Sequence, residues 1–279
     1  MTILEAVKKE RLVFDGGMGT ELYKRGIKGD TALANLTAPE AVEEIHRAYI
    51  SAGADIITAN TFGAYKHKHD NAAEIIKTAI KIAKKACDNS KTYIAMDLGA
   101  TGLMLEPYGD ISHEECRDVY ATAARTGAEC GADFILIETI MDINELKAAV
   151  EATAEIGLPV MATMSFNENG RTMYGASISD MVAALNHPRV IAVGMNCGFG
   201  PSAYMPLVET LLSATDKPII LQPNAGLPTV DADGIPGYDL DPETFAGLMR
   251  QAKEKGVTIM GGCCGTTPAH ISAMVRGLL

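Results

Sequence analysis

The sequence predicts a single α/β domain folded as a (β/α)8 TIM barrel, and two observations predict it. Eight short apolar runs recur along the 279 residues, and a polar or glycine-rich turn and an amphipathic segment follow each run. Several amphipathic segments end in glycine just before the next run, as at Gly53, Gly131, Gly157 and Gly256, which is typical of a helix C-terminus. Apolar strands that alternate with helices indicate a parallel sheet covered by helices, and eight such units in this length indicate a closed barrel.

The eight runs are rich in aliphatic and β-branched residues, which favours strands. In chain order they are residues 11–17 (RLVFDGG), 54–62 (ADIITANTF), 92–100 (TYIAMDLGA), 132–140 (ADFILIETI), 159–166 (PVMATMSF), 190–197 (VIAVGMNC), 218–226 (PIILQPNAG) and 257–265 (VTIMGGCCG). Apolar residues at helical spacing follow them, as in residues 38–53 after the first run and 144–157 after the fourth. The chain has no low-complexity linker, so we expect residues 1–279 to form one domain.

Composition narrows the function classes. The net charge of -11 disfavours nucleic acid or an anionic membrane surface as the main partner, because both repel an acidic protein. No stretch approaches the roughly 18 uninterrupted apolar residues of a membrane span, and charges interrupt the N-terminal window that a secretory signal would need. We therefore expect a cytoplasmic protein that acts on a small molecule. Six cysteines are too sparse for a disulfide scaffold and indicate buried thiols, metal ligands or nucleophiles.

Polar residues gather where the predicted strands end. Because the carboxyl ends of barrel strands meet at one rim, these side chains are expected to converge, although each one alone could merely hydrogen-bond a loop. They are Asp15, Gly16 and Gly17 after the first strand, Asn60 and Thr61 after the second, Glu138 and Thr139 on the fourth, Asn196 and Cys197 on the sixth, Asn224 after the seventh, and Cys263 and Cys264 on the eighth.

Three of these residues, Cys197, Cys263 and Cys264, form a protein ligand set for zinc that leaves one position open for water or substrate. Sulfur donors favour zinc over magnesium or calcium. Adjacent side chains on a regular strand point to opposite faces, and we expect the flanking glycines at 261, 262 and 265 to relax this restriction through unusual backbone angles. A redox pair at positions 263 and 264 is the competing interpretation. It is disfavoured because a vicinal disulfide is strained and the usual dithiol motif has two intervening residues.

Six motifs carry a resemblance that spans essentially the whole chain. The sequence resembles the homocysteine S-methyltransferase family, and within it most of all the homocysteine-binding module of cobalamin-dependent methionine synthases. The motifs are DGGMGTEL at the first strand, NTF at the second, ETI at the fourth, GMNCGFGP at the sixth, QPNAGLP at the seventh and GGCCGTTPAHI at the eighth.

The resemblance implies a TIM barrel and assigns roles to matched residues. It implies that Cys197, Cys263 and Cys264 bind one zinc ion and that Asn224 completes the resting coordination. It also implies that Asp15 and Glu138 hold the amine of homocysteine, and that the backbone near Gly16 and Gly17 receives the carboxylate. Asn60, Thr61 and Asn196 are further candidates for substrate binding at the same rim.

The expected reaction is methyl transfer to the sulfur of homocysteine, which gives methionine, because coordination to zinc turns a thiol into a thiolate nucleophile. The family uses methylcobalamin, betaine or S-methylmethionine as donors. The sequence stops directly after the eighth predicted helix, with AMVRGLL, so the favoured donor is methylcobalamin carried on a separate corrinoid protein. The other donors and an excised fragment of a longer protein stay open.

Two other function classes remain. One is a homocysteine-binding or zinc-storing module without methyl transfer of its own. The other is a metal-free barrel enzyme with Glu138 or Asp15 as general base, which is disfavoured because no lysine lies at a strand end to form a Schiff base.

Overall fold

A computed structural model of the protein describes residues 1–9, 11–88, 90–230 and 236–278. Eight parallel strands form one sheet, and a parallel bridge between Phe14 and Ile56 joins its two edges. The (β/α)8 barrel predicted from the sequence is confirmed. The strands of the described residues are β1 (Leu12–Val13), β2 (Ile56–Thr58), β3 (Tyr93–Leu98), β4 (Phe134–Ile140), β5 (Val160–Met164), β6 (Val190–Cys197), β7 (Ile219–Pro223), β8 (Pro228–Val230), β9 (Pro236–Tyr238) and β10 (Ile259–Met260). The barrel sheet has the order β1-β10-β7-β6-β5-β4-β3-β2, and β8 and β9 form a separate pair.

Most helices cover the outer face of the sheet, whereas the N-terminal helix packs against the interior of the barrel. The helices of the described residues are α1 (Ile3–Lys9), α2 (Met18–Lys24), α3 (Ala34–Thr37), α4 (Pro39–Ser51), α5 (Ala72–Ala86), α6 (His113–Glu129), α7 (Ile143–Ala154), α8 (Ile178–Ala184), α9 (Pro201–Ala214), α10 (Pro242–Lys255) and α11 (Pro268–Leu278). The four glycines predicted to end helices all have left-handed backbone angles, with φ of 101° at Gly53, 84° at Gly131, 89° at Gly157 and 120° at Gly256. Among the helices of the described residues, none combines the length and apolar character needed to cross a bilayer.

One element lies outside the eightfold repeat. Strands β8 and β9 pair antiparallel in the long connection between β7 and α10. Residues 231–235 of that stretch lie outside the described residues. The hairpin carries Tyr238 back to the barrel, where its ring fills the space beside Gly265.

The apolar core has two layers. A large cluster lies between the strands and the surrounding helices, and a smaller one fills the barrel interior, where Phe14, Phe134 and Met161 pack together. Ile3 and Val7 of α1 belong to the inner cluster. The interior of the barrel is therefore filled by side chains, and the mouth of the barrel lies above this core.

Candidate active site

A cavity of about 340 Å³ opens at the carboxyl ends of the strands. Most of the predicted rim residues line it, whereas Thr61, Asn196 and Asn224 are buried beside it. The predicted residues that line the cavity are Asp15, Gly16, Gly17, Asn60, Glu138, Thr139, Cys197, Cys263 and Cys264.

Three cysteines meet in this cavity. The Sγ atoms of Cys197, Cys263 and Cys264 all lie within 4.8 Å of one another. Cys197 ends β6 with a left-handed φ of 61°, which turns the chain sharply there. The Cys263 backbone N–H donates to Pro223 O at 2.8 Å, and Thr266 Oγ1 donates to Cys263 O at 2.6 Å. The second and third thiols therefore come from a tight turn and not from a regular strand.

The glycines of this turn act in two ways. The expected unusual backbone angle is confirmed at Gly265, with φ of 80°. Gly261 and Gly262 do not have positive φ, and they are instead required for space. A Cβ at Gly262 would lie 2.3 Å from Thr266 Oγ1, and one at Gly261 would lie 2.5 Å from Phe14 Cβ.

Hydrogen bonds among the thiols favour one thiolate in the cluster. Hydrogen bonds from Cys197 and then Cys263 lower the pKa of Cys264 to about 3, and the Tyr238 hydroxyl contributes a further hydrogen bond in the same direction. The pKa of Cys263 is raised, because it donates to Cys197 and Cys264 and is buried. A half-buried group of three sulfur donors with one thiolate already favoured suits a soft or borderline metal ion such as zinc.

Asn224 lies between the two cysteine-bearing loops. Its backbone N–H donates to Phe199 O at 2.9 Å, and its Nδ2 donates to Gly198 O at 3.3 Å. Its Oδ1 is buried and has no hydrogen-bond partner among the described residues. This amide oxygen is therefore available as a further ligand.

Two carboxylates face the same cavity, of which Asp15 is buried and Glu138 is half-buried. Burial raises the pKa of Asp15 to about 7, although Thr58 donates to this carboxylate from its backbone N at 2.8 Å and from Oγ1 at 2.9 Å. Burial, followed by the charges of Cys197 and Asp15, raises the pKa of Glu138 to about 8. A bound cation would favour the charged form of both groups.

Asn196 connects the metal-ligand candidates to the carboxylates. Its Nδ2 donates to Thr139 Oγ1 at 2.7 Å, to Glu138 Oε2 at 3.4 Å and to Cys263 Sγ at 3.9 Å. Its Oδ1 accepts from Thr139 N at 2.9 Å and from Thr163 Oγ1 at 2.8 Å. Asn196 is fully buried, so this network positions the site.

Gly16 and Gly17 bring the first strand against the cysteine loop. A Cβ at Gly16 would lie 2.5 Å from Thr266 Oγ1, and one at Gly17 would lie 2.9 Å from Cys263 O. The Gly17 N–H donates to Thr266 O at 3.3 Å and to Thr266 Oγ1 at 3.2 Å. Carboxylate binding by this backbone stays a prediction.

Asn60 and Thr61 are tied to neighbouring loops. Asn60 Nδ2 donates to Thr31 O at 2.7 Å, and Thr61 Oγ1 donates to Asp97 O at 2.8 Å while accepting from Asp97 N at 3.1 Å. Asn60 reaches the cavity wall, and Thr61 supports the end of β3. Their roles in substrate binding also stay predictions.

The sequence interpretation missed several lining residues, notably Phe62, Asp97 and Gln222. The ring of Phe62 lies over Gly99, where a Cβ would come within 2.0 Å of it. Asp97 and Gln222 were hidden inside strand runs. The sequence feature that could have identified them is a single polar residue near the carboxyl end of an otherwise apolar strand.

Comparison with known families identifies the chain's relatives. The family model described as homocysteine S-methyltransferase matches residues 12–278. The chain belongs to the homocysteine S-methyltransferase family. This homocysteine S-methyltransferase chain is 32% identical to a methionine synthase of Mycobacterium leprae (strain TN), with 96% of the chain and 24% of that relative covered. It is 33% identical to a methionine synthase of Mycobacterium tuberculosis (strain ATCC 25618 / H37Rv), with 96% and 25% covered. The chain thus spans about a quarter of the length of these relatives.

Solved structures show the same fold. The metallated form of the homocysteine methyltransferase MmuM from Escherichia coli superposes with a TM-score of 0.81 at 23% identity, covering 96% of each chain. The oxidised form gives a TM-score of 0.82 at 22% identity, covering 99% of this chain and 98% of that one. These likenesses support the barrel fold of this homocysteine S-methyltransferase chain.

Proposed function

We propose that the protein binds one zinc ion through Cys197, Cys263 and Cys264, with Asn224 as the resting fourth ligand, and methylates the sulfur of homocysteine to give methionine. The observation that carries the proposal is the meeting of three Sγ atoms within 4.8 Å at the barrel mouth. Membership of the homocysteine S-methyltransferase family and the unpartnered Asn224 Oδ1 support it.

Different residues of the chain would bind the metal ion and the substrate. Zinc, when bound, supplies a Lewis acid that lowers the pKa of a coordinated thiol and so provides the sulfur nucleophile. Asp15 and Glu138 bind the ammonium of the amino acid and hold its sulfur in one orientation for the donor. A cavity of about 340 Å³ suits a small amino acid.

For the methyl donor we propose methylcobalamin on a partner corrinoid protein. Large apolar side chains are exposed on the loops that follow β2, β3, β5 and β7, all at the end of the barrel where the cavity opens. They are Phe62, Met104, Tyr108, Met173, Tyr174 and Leu227. An exposed apolar surface around a cavity fits a protein partner better than a small, freely diffusing donor such as betaine or S-methylmethionine. A cytoplasmic location completes the proposal, because all six cysteines are free thiols, as a reducing compartment favours.

The test combines metal analysis with activity. Zinc-loaded protein is incubated with L-homocysteine and, separately, methylcobalamin, a methylated corrinoid protein, betaine and S-methylmethionine, and methionine is measured in each. We expect methionine with the corrinoid donors. Ser variants of the three cysteines should lose zinc and activity together, whereas Cys130→Ser, which changes a half-buried thiol after α6, should keep both.

Each alternative predicts a different outcome. Zinc and homocysteine binding without methionine from any donor would support a binding module instead. Methionine only with betaine or S-methylmethionine would replace the proposed donor. Activity that survives complete zinc removal would support a metal-free barrel enzyme and overturn the proposal.

A further inference from the structure

A layer of polar side chains covers the apolar interior of the barrel. Side chains two positions apart on a strand share a face, so the residue two places after an interior residue also points inward. On the alternate strands β3, β5 and β7, the interior residues Ala95, Met161 and Ile220 are followed in this way by Asp97, Thr163 and Gln222. Such a layer from alternate strands is a regular feature of barrel interiors.

Two members of this layer have unused hydrogen-bond acceptors. Thr163 Oγ1 donates to Asn196 Oδ1 at 2.8 Å and is satisfied. Asp97 Oδ1 and Gln222 Oε1 are buried and have no hydrogen-bond partner among the described residues. Both residues line the cavity, and their exposed fractions are only 4% and 3%. Buried acceptors without donors are costly, so these two atoms indicate a ligand that brings donors.

The charge around Asp97 identifies the kind of ligand. Asp97 lies on β3 beside β4, which carries Glu138, and Asp15 lines the same cavity. Burial raises the pKa of Asp97 well above its usual range, and the neighbouring charges of Glu138 and Asp15 act in the same direction. Three carboxylates around one small space, one of them with a free oxygen, and the free acceptor of Gln222 are complementary to a cationic group with several N–H donors.

We propose that Asp97 is a substrate-binding residue that accepts a hydrogen bond from the ammonium group of homocysteine, with Gln222 as a further acceptor in the same layer. The inference rests on the proposed function, which supplies homocysteine as the substrate. Asp15 already accepts two hydrogen bonds from Thr58, so a third carboxylate gives the ammonium an acceptor that no protein group uses. Asp97 therefore contributes to selection for an amino acid over an amine-free thiol.

The test measures binding and needs no methyl transfer. Calorimetry gives the dissociation constants of zinc-loaded wild type and Asp97→Asn for L-homocysteine and for 4-mercaptobutanoate, which lacks only the amine. We expect Asp97→Asn to weaken homocysteine binding about tenfold or more, and to change 4-mercaptobutanoate binding by less than about twofold. Zinc content and the thermal melt of the variant are measured alongside.

Asp142→Asn is the matched control. Asp142 follows β4 and caps α7 by accepting from Asn144 N at 2.8 Å, and it does not line the cavity. This variant removes the same charge from the same end of the barrel, and both dissociation constants should stay within about twofold of wild type, since screened charges away from the ligand act weakly.

The outcomes separate the two proposals. Equal weakening of both ligands by Asp97→Asn, or unchanged homocysteine binding, would overturn the role of Asp97 and leave the proposed function standing. Failure of wild-type protein to bind homocysteine at all would overturn the proposed function and this inference with it.

Discussion

Replacing Gly262 by alanine tests whether close packing, as distinct from backbone freedom, places the paired cysteines. The new Cβ would lie 2.3 Å from Thr266 Oγ1, 2.5 Å from its Cγ2 and 2.6 Å from its Cβ. Carbon atoms in contact prefer about 3.5–4.0 Å, so the two segments must separate by roughly 1 Å. Thr266 is fully buried and bonds to Cys263 O and Gly17 N, so it cannot rotate away without moving the cysteine turn.

We expect Gly262→Ala to cost about 1–3 kcal/mol of stability, as overpacking in a filled core does. Zinc affinity should fall about tenfold or more, because residues that orient metal ligands have effects of that size. Thermal melts measure the first quantity, and competition with a chromogenic chelator measures the second. Thr266→Gly in the same chain should recover part of the loss, whereas Thr266→Ala would leave a Cβ in the way.

Gly247 is the control for this experiment. It lies within α10, and a Cβ there meets nothing within 4 Å. Gly247→Ala should be neutral or stabilise the protein by up to about 1 kcal/mol, because alanine favours helix. If Gly262→Ala melts and binds zinc like wild type, then the crowding around the turn does not position the cysteines and the reasoning is refuted.

Three further predictions concern stability at acid pH, the hydrogen bonds that hold the loop after β3, and the reactivity of the thiols. Burial lowers the pKa of His46 from 6.5 to about 4, so the free energy of unfolding should be highest above pH 6.5 and should fall as the pH decreases towards 4. The expected loss is about 3 kcal/mol, measured by urea unfolding across that range. His46→Asn should abolish this pH dependence. Glu145 Oε1 accepts hydrogen bonds from Thr101 N, Thr101 Oγ1 and Tyr120 Oη. Glu145→Ala should therefore destabilise the protein by about 2–4 kcal/mol in urea titrations, and Glu145→Gln by less. Equal losses would show that these hydrogen bonds do not hold the loop. Removing zinc with a chelator should increase the number of thiols that react with a colorimetric reagent by three, and an unchanged number would argue against three cysteine ligands.

The barrel was predictable from the sequence because each barrel strand lies in an apolar run and four of the helices end at a suitable glycine. The strand limits were not. The first run, residues 11–17, pairs as β1 only over Leu12–Val13, and the last run, 257–265, pairs as β10 only over Ile259–Met260. Both runs keep their apolar or glycine character while the backbone turns away to form the site. The pattern of side chains in the sequence indicates which residues are buried. It does not indicate where strand pairing ends, because that depends on contacts such as that between Gly262 and Thr266.

The convergence of the cysteines was predictable from their places at strand ends, because topology brings those ends to one rim. Asp97 and Gln222 were missed because each is a single polar residue in an apolar run, and one polar residue in a strand does not by itself indicate a binding site. Their inward direction follows only from register with Ala95 and Ile220, which the structure supplies. The roles first expected of Gly261 and Gly262 were wrong for a similar reason, since close approach depends on residues far away in the sequence.

The bent ends of β4 and β6 show why residues that take no part in the proposed reaction matter at this site. Thr139 and Cys197 both have left-handed φ, 58° and 61°, which costs a non-glycine residue roughly 1–2 kcal/mol. Hydrogen bonds offset this cost: Asn196 Oδ1 accepts from Thr139 N at 2.9 Å, and the Tyr204 hydroxyl donates to Cys197 O at 2.7 Å. Each such bond contributes about 0.5–1.5 kcal/mol, comparable with the strain. Asn196 and Tyr204 therefore hold a carboxylate-bearing strand end and a thiol-bearing one in conformations that neither strand would adopt alone, and the site is positioned before substrate arrives.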